Sequence, residues 1–178
     1  GEQRRVCKEY IFDYNQTRPS DLKKKEEILS TMLGTAGTDI WMEAPLFFAY
    51  GCNTHVGNNV YANFNLTVVD DGEVYIGDYV MFGPNVTIST TGHPVHPFYR
   101  AKYAQFSLPV HIEKGAWVGR NAVFLPGVTI GENSVFGAVS VVTKDTPATC
   151  IVIGVQFNVV RAIQHEALLY HRTGMQVT

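Results

Sequence analysis

From Ile112 the sequence reads IEKGAW, VGRNAV, FLPGVT, IGENSV, FGAVSV and VTKDTP, six consecutive hexads that end without a gap at Pro147. Their first positions, Ile112, Val118, Phe124, Ile130, Phe136 and Val142, are all large and apolar. Their fifth positions, Ala116, Ala122, Val128, Ser134, Ser140 and Thr146, are all small or β-branched. A period of six matches neither the repeat of an amphipathic helix nor the alternation of a half-buried strand. Short strands that meet at corners satisfy it, with the first-position side chain pointing into a shared core and the small fifth residue in the crowded corner. The fold class read from this stretch is mainly β, a parallel solenoid of hexapeptide repeats.

The pattern continues upstream. Ile76–Met81, Phe82–Thr87 and Ile88–His93 carry it, as do Val56–Tyr61 and Ala62–Thr67. Between Val68 and Ile76 the register slips by two residues around Asp70-Asp71-Gly72. These are turn-forming residue types, so a bulged corner is expected there. From Pro94 to His111 the repeat lapses for 18 residues, a stretch that holds Pro94, Pro97, Arg100, Lys102 and the aromatics Phe98, Tyr99 and Tyr103. Eighteen is three hexads, so the flanking coils stay in phase and the segment reads as an extruded loop, 94–111. Such loops on rigid scaffolds commonly carry function. The hand of the coil stays open at this point, since the general rule for parallel crossovers favours a right-handed connection.

Ahead of the repeat, Pro19-Ser20-Asp21 precedes Leu22, Ile28, Leu29, Met32 and Leu33, then Gly34. This predicts a capped amphipathic helix that ends on glycine. The chain therefore divides into a helical region 1–36, a solenoid 37–155 and a tail 156–178. With 14 Lys+Arg against 16 Asp+Glu the net charge is −2, which offers no long-range field for nucleic acid or an anionic membrane surface. Apolar residues are 46% and charged residues 17%, a composition that excludes a disordered chain. No apolar run reaches the roughly 18 residues of a transmembrane helix. Cys7, Cys52 and Cys150 are far apart and form no C-x-x-C, so they read as reduced thiols of a cytoplasmic protein. The chain opens at Gly1 and not at Met, which leaves room for a preceding segment.

His93 closes a hexad where the repeat gives way to the loop, and the following Pro94 biases it toward extended backbone. An unperturbed imidazole titrates at about 6.5, which suits that side-chain type to general-base work at neutral pH. Around it stand Tyr61-Ala62-Asn63-Phe64-Asn65, Asp70-Asp71, Phe82-Gly83-Pro84-Asn85-Val86, Gly92-His93-Pro94-Val95-His96, Trp117-Val118-Gly119 and Leu125-Pro126-Gly127-Val128-Thr129. Together with Val141-Val142-Thr143-Lys144-Asp145 and the upstream Cys7–Asn15 segment, they resemble the maltose/galactoside O-acetyltransferases over most of the chain.

The resemblance implies a left-handed parallel β-helix with three strands per turn. It also implies a homotrimer with sites between subunits, and acetyl transfer to a sugar hydroxyl with acetyl-CoA as co-substrate and no metal required. His93 then matches the general base that acts on the acceptor hydroxyl. Asn63 and Asp71, with Tyr61 behind them, match acceptor contacts. Trp117 matches the residue that packs on the pantetheine arm. Ala138, Thr143 and Lys144 match donor contacts, and Arg161 a cation near the nucleotide phosphates, where positive charge suits a polyanion. Three positions depart from the family pattern: Asn158 stands where a phosphate-binding arginine is usual, and Ala49 and Gln105 where galactoside-type members carry serine and methionine.

Other readings of the same residues are a xenobiotic O-acetyltransferase, which uses a similar solenoid, and a non-catalytic trimeric scaffold. A zinc lyase of the γ-carbonic-anhydrase type would have to draw its ligands from His93, His96 and His111.

Overall fold

The computed structural model describes residues 1–155 and the backbone of Asn158–Ala162. Helix α1 (Glu2–Gln16) buries Cys7, Ile11 and Tyr14, a spacing that puts all three on one face. Helix α2 (Leu22–Met32) buries Ile28, Leu29 and Met32, and its cap Asp21 accepts from the Lys24 N–H at 3.2 Å. The helix does not end on a left-handed glycine as expected. Leu33 is extended, and Gly34 is needed because a Cβ there would stand 2.3 Å from the Cys52 carbonyl oxygen. The two helices close the first coil: Tyr14 donates to the Met42 carbonyl at 2.6 Å, and the Asn15 amide brackets the Leu46 backbone at 2.8 and 3.0 Å.

The solenoid has three parallel sheets, here faces A, B and C. Face A runs Thr35–Ala36, Thr54–Val56, Val74–Ile76, Val110–Ile112, Thr129–Ile130. Face B runs Trp41–Met42, Tyr61–Ala62, Met81–Phe82, Trp117–Val118, Val135–Phe136, Cys150–Ile153, with Asn158–Ala162 added antiparallel at the end. Face C runs Leu46–Phe48, Leu66–Val69, Thr87–Ser89, Val123–Phe124, Val141–Val142. Thr35–Ala36 already pairs with the second coil, so the solenoid starts inside the region 1–36.

The hexad reading is visible in burial. All six first-position side chains from Ile112 to Val142 are at most 1% exposed, and the fifth-position residues Ala116 through Thr146 at most 7%. At the second position glycine recurs because coils approach closely: a Cβ on Gly131 would stand 2.3 Å from the Pro147 carbonyl carbon. The fourth position, which the hydrophobic pattern leaves unassigned, turns the corner in the left-handed region. Asn59, Asn65, Asn85, Asn121 and Asn133 have φ between 55° and 64° there. Asparagine tolerates that conformation better than most residues.

The expected slip is present. Early coils advance 20 residues per turn, as in Trp41↔Tyr61 and Thr67↔Thr87, and late coils 18, as in Trp117↔Val135. The extra residues fall at the corner between faces C and A, where Asp70 is fully buried. Its carboxylate accepts from the Ala49 and Tyr50 N–H groups at 3.1 and 2.8 Å and from the Thr54 hydroxyl at 3.0 Å. Across the loop, Val74 pairs with Val110, so the coils are in phase on either side of it. The loop itself is shorter than 94–111, because Val110–Ile112 is a strand of face A.

Candidate active site

The loop leaves the corner between faces C and A as an arm. Its neck is an antiparallel pair, Thr91–Gly92 with Phe106–Ser107, and its tip carries the short helix α3 (Pro97–Arg100). Thr90 roots the arm: its hydroxyl donates to the Val69 carbonyl at 2.9 Å and accepts from the Gly72 N–H at 2.8 Å. Fully buried, it joins the arm to the Asp70-Asp71-Gly72 corner.

His93 stands exposed at the neck, with Nδ1 2.9 Å from the Ala104 carbonyl oxygen. A carbonyl only accepts, so Nδ1 carries the hydrogen and Nε2 of the neutral ring keeps a free lone pair. One residue along, the Gln105 side chain donates from Nε2 to Asp71 Oδ1 at 3.3 Å. Ala104 and Gln105 thus tie the imidazole and the Asp71 carboxylate to one short segment. Beside them, burial pushes the Asp70 carboxyl above its ordinary value, partly offset by its backbone and Thr54 hydrogen bonds.

The expected site residues fall on two edges of the prism. On the edge between faces C and A lie Asp71, His93, Thr143 and Lys144. On face B and its edge with face C lie Tyr61, Asn63, Trp117 and Ala138. Face C separates them, about five strand residues or roughly 16 Å at ~3.3 Å each. One chain therefore brings Asp71 and His93 together but not Asn63 or Tyr61 with them. Asn63 accepts from the Phe64 N–H at 2.8 Å, a local corner bond. Trp117 is 52% exposed, in a row on face B with Tyr61 and Met81. Arg161 pairs in register with Ile151 at the end of face B, and its side chain lies outside the described residues, as does most of the tail 156–178.

The three histidines considered as metal ligands go to different places. His93 is at the neck, His96 caps α3 by accepting from the Phe98 N–H at 3.3 Å, and His111 stacks on Tyr75 on face A with centroids 4.7 Å apart. Among the described residues no group of three or more His, Cys, Asp or Glu is placed to hold a metal ion, and no helix is long and apolar enough to cross a membrane.

The Ala104 carbonyl and Thr90 were missed by sequence reasoning. A backbone carbonyl has no side-chain signature; Thr90 is marked only by its place in the last hexad before the loop.

Comparison with known proteins agrees with this fold. The family described as bacterial transferase hexapeptide (six repeats) matches residues 109–144, and the maltose acetyltransferase hexapeptide capping motif matches residues 1–37. The galactoside O-acetyltransferase of Escherichia coli K12 is 45% identical over 170 residues, 96% of this chain and 84% of that protein. A solved galactoside acetyltransferase in complex with coenzyme A superposes with a TM-score of 0.96 at 44% identity, over 99% of this chain and 88% of that one. A maltose O-acetyltransferase from Clostridium difficile 630 gives a TM-score of 0.90 at 36% identity, over 92% of this chain and 88% of that one.

Proposed function

This chain belongs to the hexapeptide-repeat galactoside and maltose O-acetyltransferases, and from that premise we propose that it transfers the acetyl group of acetyl-CoA to a sugar hydroxyl, with His93 as general base. The observation that carries the reading is the His93 Nδ1 bond to the Ala104 carbonyl, which leaves Nε2 as the basic nitrogen. When bound, acetyl-CoA supplies an activated thioester carbonyl. His93 Nε2 takes the proton of the acceptor hydroxyl as that oxygen bonds to the carbonyl carbon. The same nitrogen returns the proton to the sulfur as the carbon–sulfur bond breaks. Asp71, held by Gln105, accepts a hydrogen bond from a second acceptor hydroxyl.

The separation of the candidate residues onto two edges supports a homotrimer whose sites lie between subunits. Asp71 and His93 of one copy then face Tyr61 and Asn63 of the next. Trp117 of the next copy offers a half-exposed apolar wall for the pantetheine arm, with Ala138 on the same edge and Thr143 contributed by the first copy. Lys144 and Arg161 are assigned to the phosphates of the donor, which favour cations. Cys7, Cys52 and Cys150 are free thiols, in keeping with a cytoplasmic setting.

The test is thiol release from acetyl-CoA with a panel of thiogalactosides, maltose, glucose and simple alcohols, run beside His93→Ala. Acceptor-dependent release that falls by about 10²–10⁴-fold in the variant is expected. A variant as active as the wild type refutes the role of His93, and a wild type that binds no coenzyme A points to the scaffold reading.

A further inference from the structure

Gln105 joins two parts of the chain 34 residues apart in sequence, and nothing in the repeat requires it to. The pairing of Gly92 with Phe106 sets the neck so that the Ala104 carbonyl meets His93 and the next side chain reaches Asp71. An ionised carboxylate only accepts, so the Gln105 amide presents its NH2 to Asp71 Oδ1 and turns Oε1 away from it. Among the described residues, Asp71 Oδ2 and Gln105 Oε1 make no other hydrogen bond. Two acceptor oxygens are thereby held on the segment that also holds the imidazole.

We infer that Gln105 is a positioning and specificity-determining residue. It orients Asp71, and its Oε1 gives the acceptor pocket a polar wall, so the chain favours acceptors rich in free hydroxyls over glycosides with an apolar group at that wall. The inference rests on the acetyl transfer proposed above. It has two consequences that a purely structural role for Gln105 lacks: a change in acceptor preference, and an energetic coupling to Asp71.

The experiment has two arms. In the first, steady-state kinetics compare wild type and Gln105→Met with maltose and with an alkyl thiogalactoside. The maltose KM is expected to rise about five- to tenfold and the thiogalactoside KM to fall, with kcat within about twofold and the acetyl-CoA KM unchanged, as for loss of one hydrogen bond in binding. In the second, amide hydrogen exchange across 93–109 is measured for Gln105→Met, Asp71→Ala and the double variant. Each single variant is expected to speed exchange at the neck several-fold, and the double variant no more than either.

Unchanged acceptor KM values in Gln105→Met, with the wild type active, overturn the specificity role and leave the transfer reading intact. A wild type without turnover overturns the transfer reading, and the exchange arm then decides the positioning role alone. Additive exchange effects, or none, overturn it.

Discussion

Replacing Asp70 by alanine removes the acceptor around which the corner between faces C and A is built. Three donors converge on its carboxylate, but they do not lose equally. The Ala49 N–H also donates to the Val68 carbonyl at 3.0 Å and keeps that partner. The Tyr50 N–H and the Thr54 hydroxyl are left with nothing to replace the carboxylate at 2.8 and 3.0 Å. Each buried donor without a partner costs about 1–3 kcal/mol, and the hydroxyl recovers part of its share by rotation, so the variant loses about 2–4 kcal/mol. For a chain of this length that is a fall in Tm of about 5–15 °C.

Asp70→Asn behaves differently. Its oxygen can accept from both amides while its NH2 donates to Thr54, so its Tm stays within about 3 °C of the wild type. The assay is thermal unfolding by calorimetry at fixed protein concentration, because assembly makes Tm concentration-dependent. The pH dependence has a definite sign. Burial raises the Asp70 carboxyl above its ordinary value, so the folded state holds that proton more tightly than the unfolded one. Its stabilising share is fully present below the ordinary carboxylate value and is lost as pH rises through the folded value. Wild type therefore gains on Asp70→Asn as pH is lowered from 7. Equal losses in the alanine and asparagine variants would refute the hydrogen-bond accounting and show that the charge itself holds the corner.

Val139 has φ 64° and is 53% exposed, a left-handed conformation that a β-branched residue adopts at a cost of about 1–2 kcal/mol. Val139→Asn, which matches the fourth position of neighbouring hexads, is expected to raise Tm by about 2–5 °C in the same melts. Trp117→Ala removes a half-exposed side chain assigned to the donor; the acetyl-CoA KM is expected to rise about tenfold, with the acceptor KM unchanged and Tm within about 2 °C of wild type. A large fall in Tm would instead make Trp117 a packing residue.

The solenoid was legible because its period is written in side chains that must be buried. Ile112, Val118 and Phe124 can occupy first positions only if the chain turns every six residues, and the slip at Asp70-Asp71-Gly72 emerged as a bulged corner for the same reason. Helix α2 was legible in its body and not in its ending, because Gly34 answers to the Cys52 carbonyl of another coil and not to local backbone preference. His93 was proposed from its place at the end of a hexad together with the motif resemblance, and the other candidate site residues from the resemblance alone. Neither route showed that they lie on two edges of the prism.

By itself the sequence determined the coil: a repeat of large apolar, glycine and small residues leaves one economical way to bury the first positions. It also marked where the coil is interrupted, at an 18-residue lapse that stays in phase with the repeat. The tertiary structure alone decided which nitrogen of His93 is free and what holds Asp71. Both depend on the return strand of the arm, Phe106–Ser107, which aligns the Ala104 carbonyl and the Gln105 amide against residues far away in the chain. A burial pattern is a sum over many side chains and survives in one dimension. A single hydrogen bond between distant segments depends on the register of one strand pair, which only the folded chain sets.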